Sequence, residues 1–274
     1  MIGKWAGAMV MAGTAIGAMT GAATGTERGQ TTDAADAQIV ELRQYRLVPG
    51  VRDDFVALFD RAFVESQEAL GMRIVGQYRD HDDAARFTWI RGFRDRTARE
   101  QGLKGFYFGP VWQANRAAAN PMLDDNDNVL LLKPAAPGLG FASAQARASD
   151  AGGDAAGGAV QVVIEYLWKT PDTGFAAFFA NEMKPALEAA GVNVIAAYVP
   201  LGEPNNFPQL PVRDDRKLLA WFVRGDSHDA IAAALARARG SARWQSRVAA
   251  VLHDAEERPP QMLRLDPTPR SALR

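Results

Sequence analysis

The chain contains no cysteine. That removes disulfides, thiol nucleophiles, thiolate zinc sites and cysteine-ligated iron–sulfur clusters together. Histidine is nearly as scarce. His81, His228 and His253 are the whole supply, so a multi-histidine metal centre would need almost all of it. Excess charge of one sign is missing too. Lysine and arginine total 31 against 32 aspartates and glutamates, a net charge of −1, which disfavours a nucleic-acid partner held by bulk positive charge. Familiar catalytic signatures are absent: there is no G-x-x-x-x-G-K loop, no G-x-G-x-x-G turn and no G-x-S-x-G elbow. Nucleotide-dependent enzymes and serine hydrolases of the usual kinds are therefore disfavoured. Long apolar runs are wanting as well. The uncharged stretch from Trp5 to Thr26 has no Leu or Phe and is interrupted by Gly and Thr, a poor membrane span.

What is present describes a folded chain. Of 274 residues, 47% are hydrophobic and 23% charged, enough for one large domain or two small ones. Residues 1–37 stand apart. Lys4 precedes the uncharged stretch and Gly21, Ala22 and Ala23 offer small residues near its end, the outline of a secretory signal. The expectation is export, periplasmic or secreted. The alternative is a cytoplasmic chain with an Ala/Gly-rich leader.

Beyond the leader the sequence reads as two similar halves. Trp89 and Trp112 are 23 residues apart, as are Trp221 and Trp244. Gly71 follows one helical run and Gly191 another, at an offset of 120, whereas the tryptophans match at 132. The second half has thus gained 12 residues, most naturally at 202–213, GEPNNFPQLPVR. Residues 38–134 and 160–266 form the halves, 135–159 a linker rich in Pro, Gly, Ala and Ser, and 267–274 a tail. A shared spacing of this length points to an internal duplication.

Each half reads β-α-β-β-α-β. In the first, strands at 39–47, 72–80, 86–93 and 129–133 surround an amphipathic helix at 52–70, ended by Gly71, and a helix opened by Pro110, with 95–108 helical or irregular. In the second, strands at 160–169, at VNVIAAYV and KLLAWFVRG, and at 261–265 alternate with helices at 172–190, 228–239 and 241–255; Pro185 should bend the first of these. Such a unit makes a four-stranded antiparallel sheet with helices on one face and the other face bare. The predicted fold is therefore α+β: two fused ferredoxin-like units that bury their bare faces on each other in one barrel, helices outside.

The first half also carries motifs of a known family. Glu41-Leu42-Arg43-Gln44-Tyr45, then Phe106-Tyr107-x-Gly109-Pro110-Val111-Trp112, then DNVLLLKP, in this order and spacing, resemble the NIPSNAP family over residues 39–134. The second half resembles the same fold weakly and lacks the charged motif of the first strand. The resemblance implies the dimeric α+β barrel fold. It implies no established reaction, and family members are often described as interaction or trafficking-associated proteins. Relatives by fold include haem-degrading and cofactor-free quinol monooxygenases, an analogy of fold alone.

Glu41, Arg43 and Tyr45 share one strand face. With Trp89, Arg91, Tyr107 and Trp112 they could orient a small hydrophobic or aromatic ligand bearing a polar head, in a chamber between the sheets. The competing reading is a structural Glu–Arg pair with a tyrosine hydrogen bond at the seam between the half-domains, and core packing for the tryptophans. Tyr107 and Phe108 are either a lid or an ordinary helix-entry contact. No cofactor and no metal site are expected: His81-Asp82-Asp83 reads as a solvated hairpin tip, and His253 ends a helix, where its charge is welcome without function. Asp124–Asn128 lacks the glycine and closing glutamate of a calcium loop. An RNA-recognition reading fails on charge, since residues 38–134 hold 14 acidic and 14 basic side chains. Two alternatives to ligand binding stay open. One is a cofactor-independent monooxygenase with Glu41 as base. The other is a non-catalytic interaction module using the 202–213 loop. A homo-oligomer through the outer helices fits any of these.

Overall fold

A computed structural model describes residues 38–142 and 158–274. The leader, and with it the signal-like stretch, lies outside the described residues. So does most of the linker.

The first strand, β1 (Ile39–Leu47), alternates charged or aromatic residues with Val40 and Leu42, and both sets are buried. A strand buried on both faces must have a layer on each side. Here one side is the barrel interior and the other a helical layer. The helix after β1 runs as α1 (Arg52–Leu58), a π-helical turn (Phe59–Phe63) and α2 (Val64–Glu68). Gly71 stands after it with φ +78°, a left-handed conformation open to glycine. The hairpin β2 (Arg73–Asp80) and β3 (Arg86–Phe93) follows, then α3 (Arg96–Tyr107), capped by the Asp95 carboxylate on the Ala98 N–H. Pro110 opens α4 (Pro110–Ala119); a short β4 (Leu123–Asp125) and β5 (Val129–Pro134) complete the half.

The second half repeats the order. It comprises β6 (Ala159–Leu167), α5 (Thr173–Phe178), a π-helical turn (Phe179–Met183), α6 (Lys184–Ala189), β7 (Asn193–Pro200) and β8 (Leu218–Gly225). Then come α7 (His228–Gly240), α8 (Ala242–Arg247), α9 (Ala249–Ala255) and β9 (Glu256–Pro267). The correspondence extends to details. Both π-helical turns stand at the same place, 59–63 and 179–183. The first contains no proline, so Pro185 is not what produces the second. Both second strands shift register at matched sites, between Ile74 and Gly76 and between Val194 and Ala196.

Within each half the strands run in the order β2-β3-β1-β5 and β7-β8-β6-β9, all antiparallel. The halves then join reciprocally. The edge strand β2 pairs with β9, and β5 pairs with β7. These two seams close eight strands into a barrel, which leaves no free edge between the halves; β4 is a short addition beside β1. The interior is packed with apolar side chains of both halves, among them Leu42, Ile90, Val162, Phe222 and Leu265. Each half keeps a second core between its sheet and its own helices.

Some boundaries differ from expectation. The segment 95–108 is a regular helix over 96–107. The helix expected at 241–255 breaks at Val248, whose φ of −117° departs from helical values while its side chain is buried. The last strand begins at Glu256, five residues early, because Pro259 and Pro260 sit where β9 shifts register against β6 and need donate nothing there. The start of the linker is packed: Leu139 and Phe141 are buried, and the Phe141 ring meets Tyr198 and Phe222 in the barrel. The tail docks along β2, with the Thr268 N–H on the Gln77 carbonyl and the Leu273 N–H on that of Val75.

Candidate functional site

The odd-numbered residues of β1 face α1–α4, not the barrel interior. Glu41, Arg43 and Tyr45 do share one face and do meet Trp89 and Arg91, which pair beside them on β3. The place differs from the expected chamber between the sheets, because the closed barrel assigns the even-numbered residues to its interior. The seven predicted residues fall in one region. Tyr45, Trp89 and Tyr107 are buried in the helix-side core and Trp112 packs against it. Tyr107 thus lines the cluster from within, while its neighbour Phe108 is 54% exposed.

At the centre is one carboxylate held by three guanidiniums. Glu41 Oε2 accepts from Arg43 Nη1 at 2.9 Å and from Arg91 Nη2 at 2.6 Å. Its Oε1 accepts from Arg99 Nε at 2.8 Å. All four side chains have 0% exposure. Burial alone would push the Glu41 carboxyl up, but Arg91, Arg99 and Arg43 together hold it well below the usual carboxylate range. Glu41 is thus a permanent anion and unsuited to accept a proton near neutrality, against its expected role as a base. The Glu–Arg pair and the tyrosine hydrogen bond of the structural reading are present, but on the helix side of the first half and not at a seam between the halves, and they leave the arginines in excess. One carboxylate against three guanidiniums is a formal charge of +2 in the buried cluster.

That excess is partly absorbed by ring faces and amides. Arg43 lies over Tyr45 and Trp89, and Arg91 over Trp89, Phe93 and Tyr107. Arg43 Nε donates to the Tyr45 hydroxyl at 2.9 Å, and Arg91 Nη1 to the Gln67 amide oxygen at 2.7 Å. Among the described residues, three donors of the cluster make no hydrogen bond: Arg43 Nη2, Trp89 Nε1 and Arg99 Nη2. Arg99 Nη2 still has an ion pair with Glu41 Oε1 at 2.7 Å, which leaves Arg43 Nη2 and Trp89 Nε1 unmet. An unmet buried donor costs about 1–3 kcal/mol, so each calls for an explanation.

Arg99, Gln67, Asn205 and Asn206 were not foreseen. Arg99 carried a readable signal: it shares a helical face with Leu103 and Phe106, and a charge on an apolar stripe is either paired or functional. The asparagines come from the inserted 202–213 loop of the other half, and local pattern could not direct them here. Their side-chain oxygens accept from Arg99 Nη1 at 3.0 and 2.6 Å. Asn206 Nδ2 donates to the Arg96 carbonyl at 2.8 Å. Phe207 stacks on Tyr107, and Phe207 and Leu210 are buried in the core of the first half. The loop is thus a cover fixed over the cluster through Asn205, Asn206, Phe207 and Leu210, while Glu203, Pro204, Pro208 and Gln209 stay exposed on its outer side.

The second half holds its own buried carboxyl, also unforeseen. Glu165 stands on β6 where Tyr45 stands on β1, and Trp221 Nε1 donates to its Oε1 at 3.1 Å. Burial pushes this carboxyl up, the Trp221 bond pulls it down and Glu256 pushes it up again, to about 7.

Residues 40–137 match the NIPSNAP family model. The match covers nearly all of the first half, which bears the charged cluster, and ends three residues beyond it. A NIPSNAP domain protein from Burkholderia xenovorans is 21% identical over 36% of this chain and 96% of its own, with a TM-score of 0.33. Two solved structures take in both halves. One, from Lactobacillus acidophilus NCFM, is named provisionally as a monooxygenase; it is 11% identical, covers 84% of this chain and 93% of its own, and superimposes with a TM-score of 0.52. The other, from Fusobacterium nucleatum, is named in the same way and is 9% identical over 84% of this chain and 92% of its own, with a TM-score of 0.50. At such identities they show the fold alone, an α+β barrel of two halves. No curated protein matches the sequence.

Proposed function

We propose that the NIPSNAP-like half binds a small aromatic molecule bearing an acidic group, in the layer between its sheet and its helices. The observation that carries this is the surplus of buried positive charge together with two unmet donors, Arg43 Nη2 and Trp89 Nε1, on neighbouring strands. An anionic group satisfies both, since a guanidinium and an indole N–H are the donors a carboxylate or phenolate accepts from. Tyr45 packs on Trp89, Tyr107 lies beside Arg91, and Trp112 packs behind Tyr107, so that rings surround the arginines. Glu41 then acts as a clamp that fixes the arginines and leaves their remaining donors for the ligand.

Calorimetry with salicylate and 4-hydroxybenzoate tests it. We expect binding of one molecule per chain, weakened at least tenfold by Arg43→Lys, and little binding of benzyl alcohol, which matches the ring without the charge. Equal affinity for the neutral ring, or an unaltered affinity in Arg43→Lys, overturns the proposal. The monooxygenase alternative has weaker support, because Glu41 is locked as an anion and the likeness to the provisionally named monooxygenases is one of fold. The same proposal includes three points of organisation. The two halves descend from one duplicated unit, supported by the matched π-helical turns and strand shifts. The leader directs export, supported by Lys4 and the small residues at 21–23. The outer helix faces pair copies of the chain. N-terminal sequencing of the exported product and light scattering check the last two.

A further inference from the structure

His81, on the turn after β2, is half exposed as expected of a hairpin tip, yet it is not without partners. Its Nδ1 lies 3.0 Å from Asp266 Oδ2, and His228 Nε2 lies 2.9 Å from Asp266 Oδ1. Turn, helix start and strand thus converge from both halves on one point at the β2–β9 seam, where Arg79 pairs with Asp266 and the His81 N–H meets the Arg264 carbonyl.

We propose that His81, His228 and Asp266 bind one divalent transition-metal ion that ties the two halves together at this seam. Two imidazoles and a carboxylate are a donor set for zinc, iron, cobalt or nickel, and three protein ligands leave at least one position for water. The spacing suits it. The three ligand atoms lie within 4.8 Å of one another. Neighbouring ligands of a tetrahedral zinc ion are about 3.3 Å apart, so the observed nitrogen–oxygen separations need only small adjustments. His228 is held by burial, whereas His81 and Asp266 are 44% and 48% exposed and give an ion a route in.

The constellation does not follow from the fold's pseudo-symmetry. The reciprocal β5–β7 seam has Lys133 where Asp266 stands, Leu201 where His81 stands and Arg96 where His228 stands, and none of these binds a metal ion. One seam alone gathers the ligands. Two of the chain's three histidines are spent on it.

Titration of the metal-stripped chain with Zn²⁺, and with Co²⁺ for its visible absorption, tests the site. We expect one ion per chain at micromolar or tighter affinity. We also expect a rise in melting midpoint with Zn²⁺ that Mg²⁺ does not produce. His81→Ala and Asp266→Asn should each weaken binding at least tenfold, while His253→Ala, at the remaining histidine, should leave it unchanged. Both substituted groups are half exposed, and circular dichroism verifies that the variants fold. Zinc binding no tighter than magnesium binding overturns the proposal, as does zinc affinity that His81→Ala does not alter; the three side chains would then be a hydrogen-bonded bridge only.

Discussion

The two halves build the same layer from opposite materials. Pairing places Trp89 opposite Arg43 in the first half and Trp221 opposite Val163 in the second. Where the first half has Glu41, Arg43, Arg91 and Arg99, the second has Gln161, Val163, Val223 and Ile231. The second half buries one acid there, Glu165, and among the described residues no guanidinium, so the scaffold does not require buried arginines to fold. Taking ions out of water is expensive, and a buried ion pair is often no more stable than well-packed apolar side chains. The charged version in the first half is therefore better explained by what its arginines hold than by stability. The insertion deepens the contrast. It belongs to the second half, yet it spends Asn205 and Asn206 on covering the first.

Breaking the charged layer should produce the largest effect. Glu41→Ala removes the one carboxylate from three buried guanidiniums and should cost about 3–5 kcal/mol in urea unfolding. Replacing the whole quartet should do the reverse. Glu41→Gln combined with Arg43, Arg91 and Arg99→Met copies the apolar character of the second half at similar volume, and should be neutral or stabilising by up to about 4 kcal/mol, while binding of aromatic acids disappears. Loss of stability in that variant would mean that the arginines serve the fold itself.

The second half is sharpened by pH. A carboxyl raised in the folded state binds its proton there more tightly than in the unfolded chain. Its contribution is complete below the ordinary value of 4.5 and is lost as pH rises through about 7. The loss should reach about 3 kcal/mol at 1.36 kcal/mol per pH unit. Glu165→Gln keeps an acceptor for Trp221 and should flatten the fall in stability between pH 5 and 7, read as unfolding free energy against pH. An unaltered slope would show that Glu165 ionises freely. The smallest effect should come from the cover. Asn206→Ala loses a bond to Arg99 and another to the Arg96 carbonyl, which should cost about 2 kcal/mol and speed ligand release in stopped-flow measurements.

Much of this organisation is legible along the chain. Alternation in IVELRQYRL marked a strand and set Glu41, Arg43 and Tyr45 on one face, and the paired tryptophan spacings announced the repeat. Those are properties of periods of two and of fixed offsets, and no distant contact is needed to read them. Arg99 was half legible, as a charge on an apolar helical stripe. Asn205, Asn206 and the His81–His228–Asp266 convergence were not, since their partners lie 106, 107, 185 and 38 residues away.

The order of residues thus determined the elements, their repeated order and which side chains stand together on a strand, because local backbone geometry suffices for these. Tertiary structure alone decided which face of the sheet looks into the barrel. That choice depends on β2 meeting β9 and β5 meeting β7, and closing those seams turned the charged face of β1 toward the helices and brought two histidines to one aspartate.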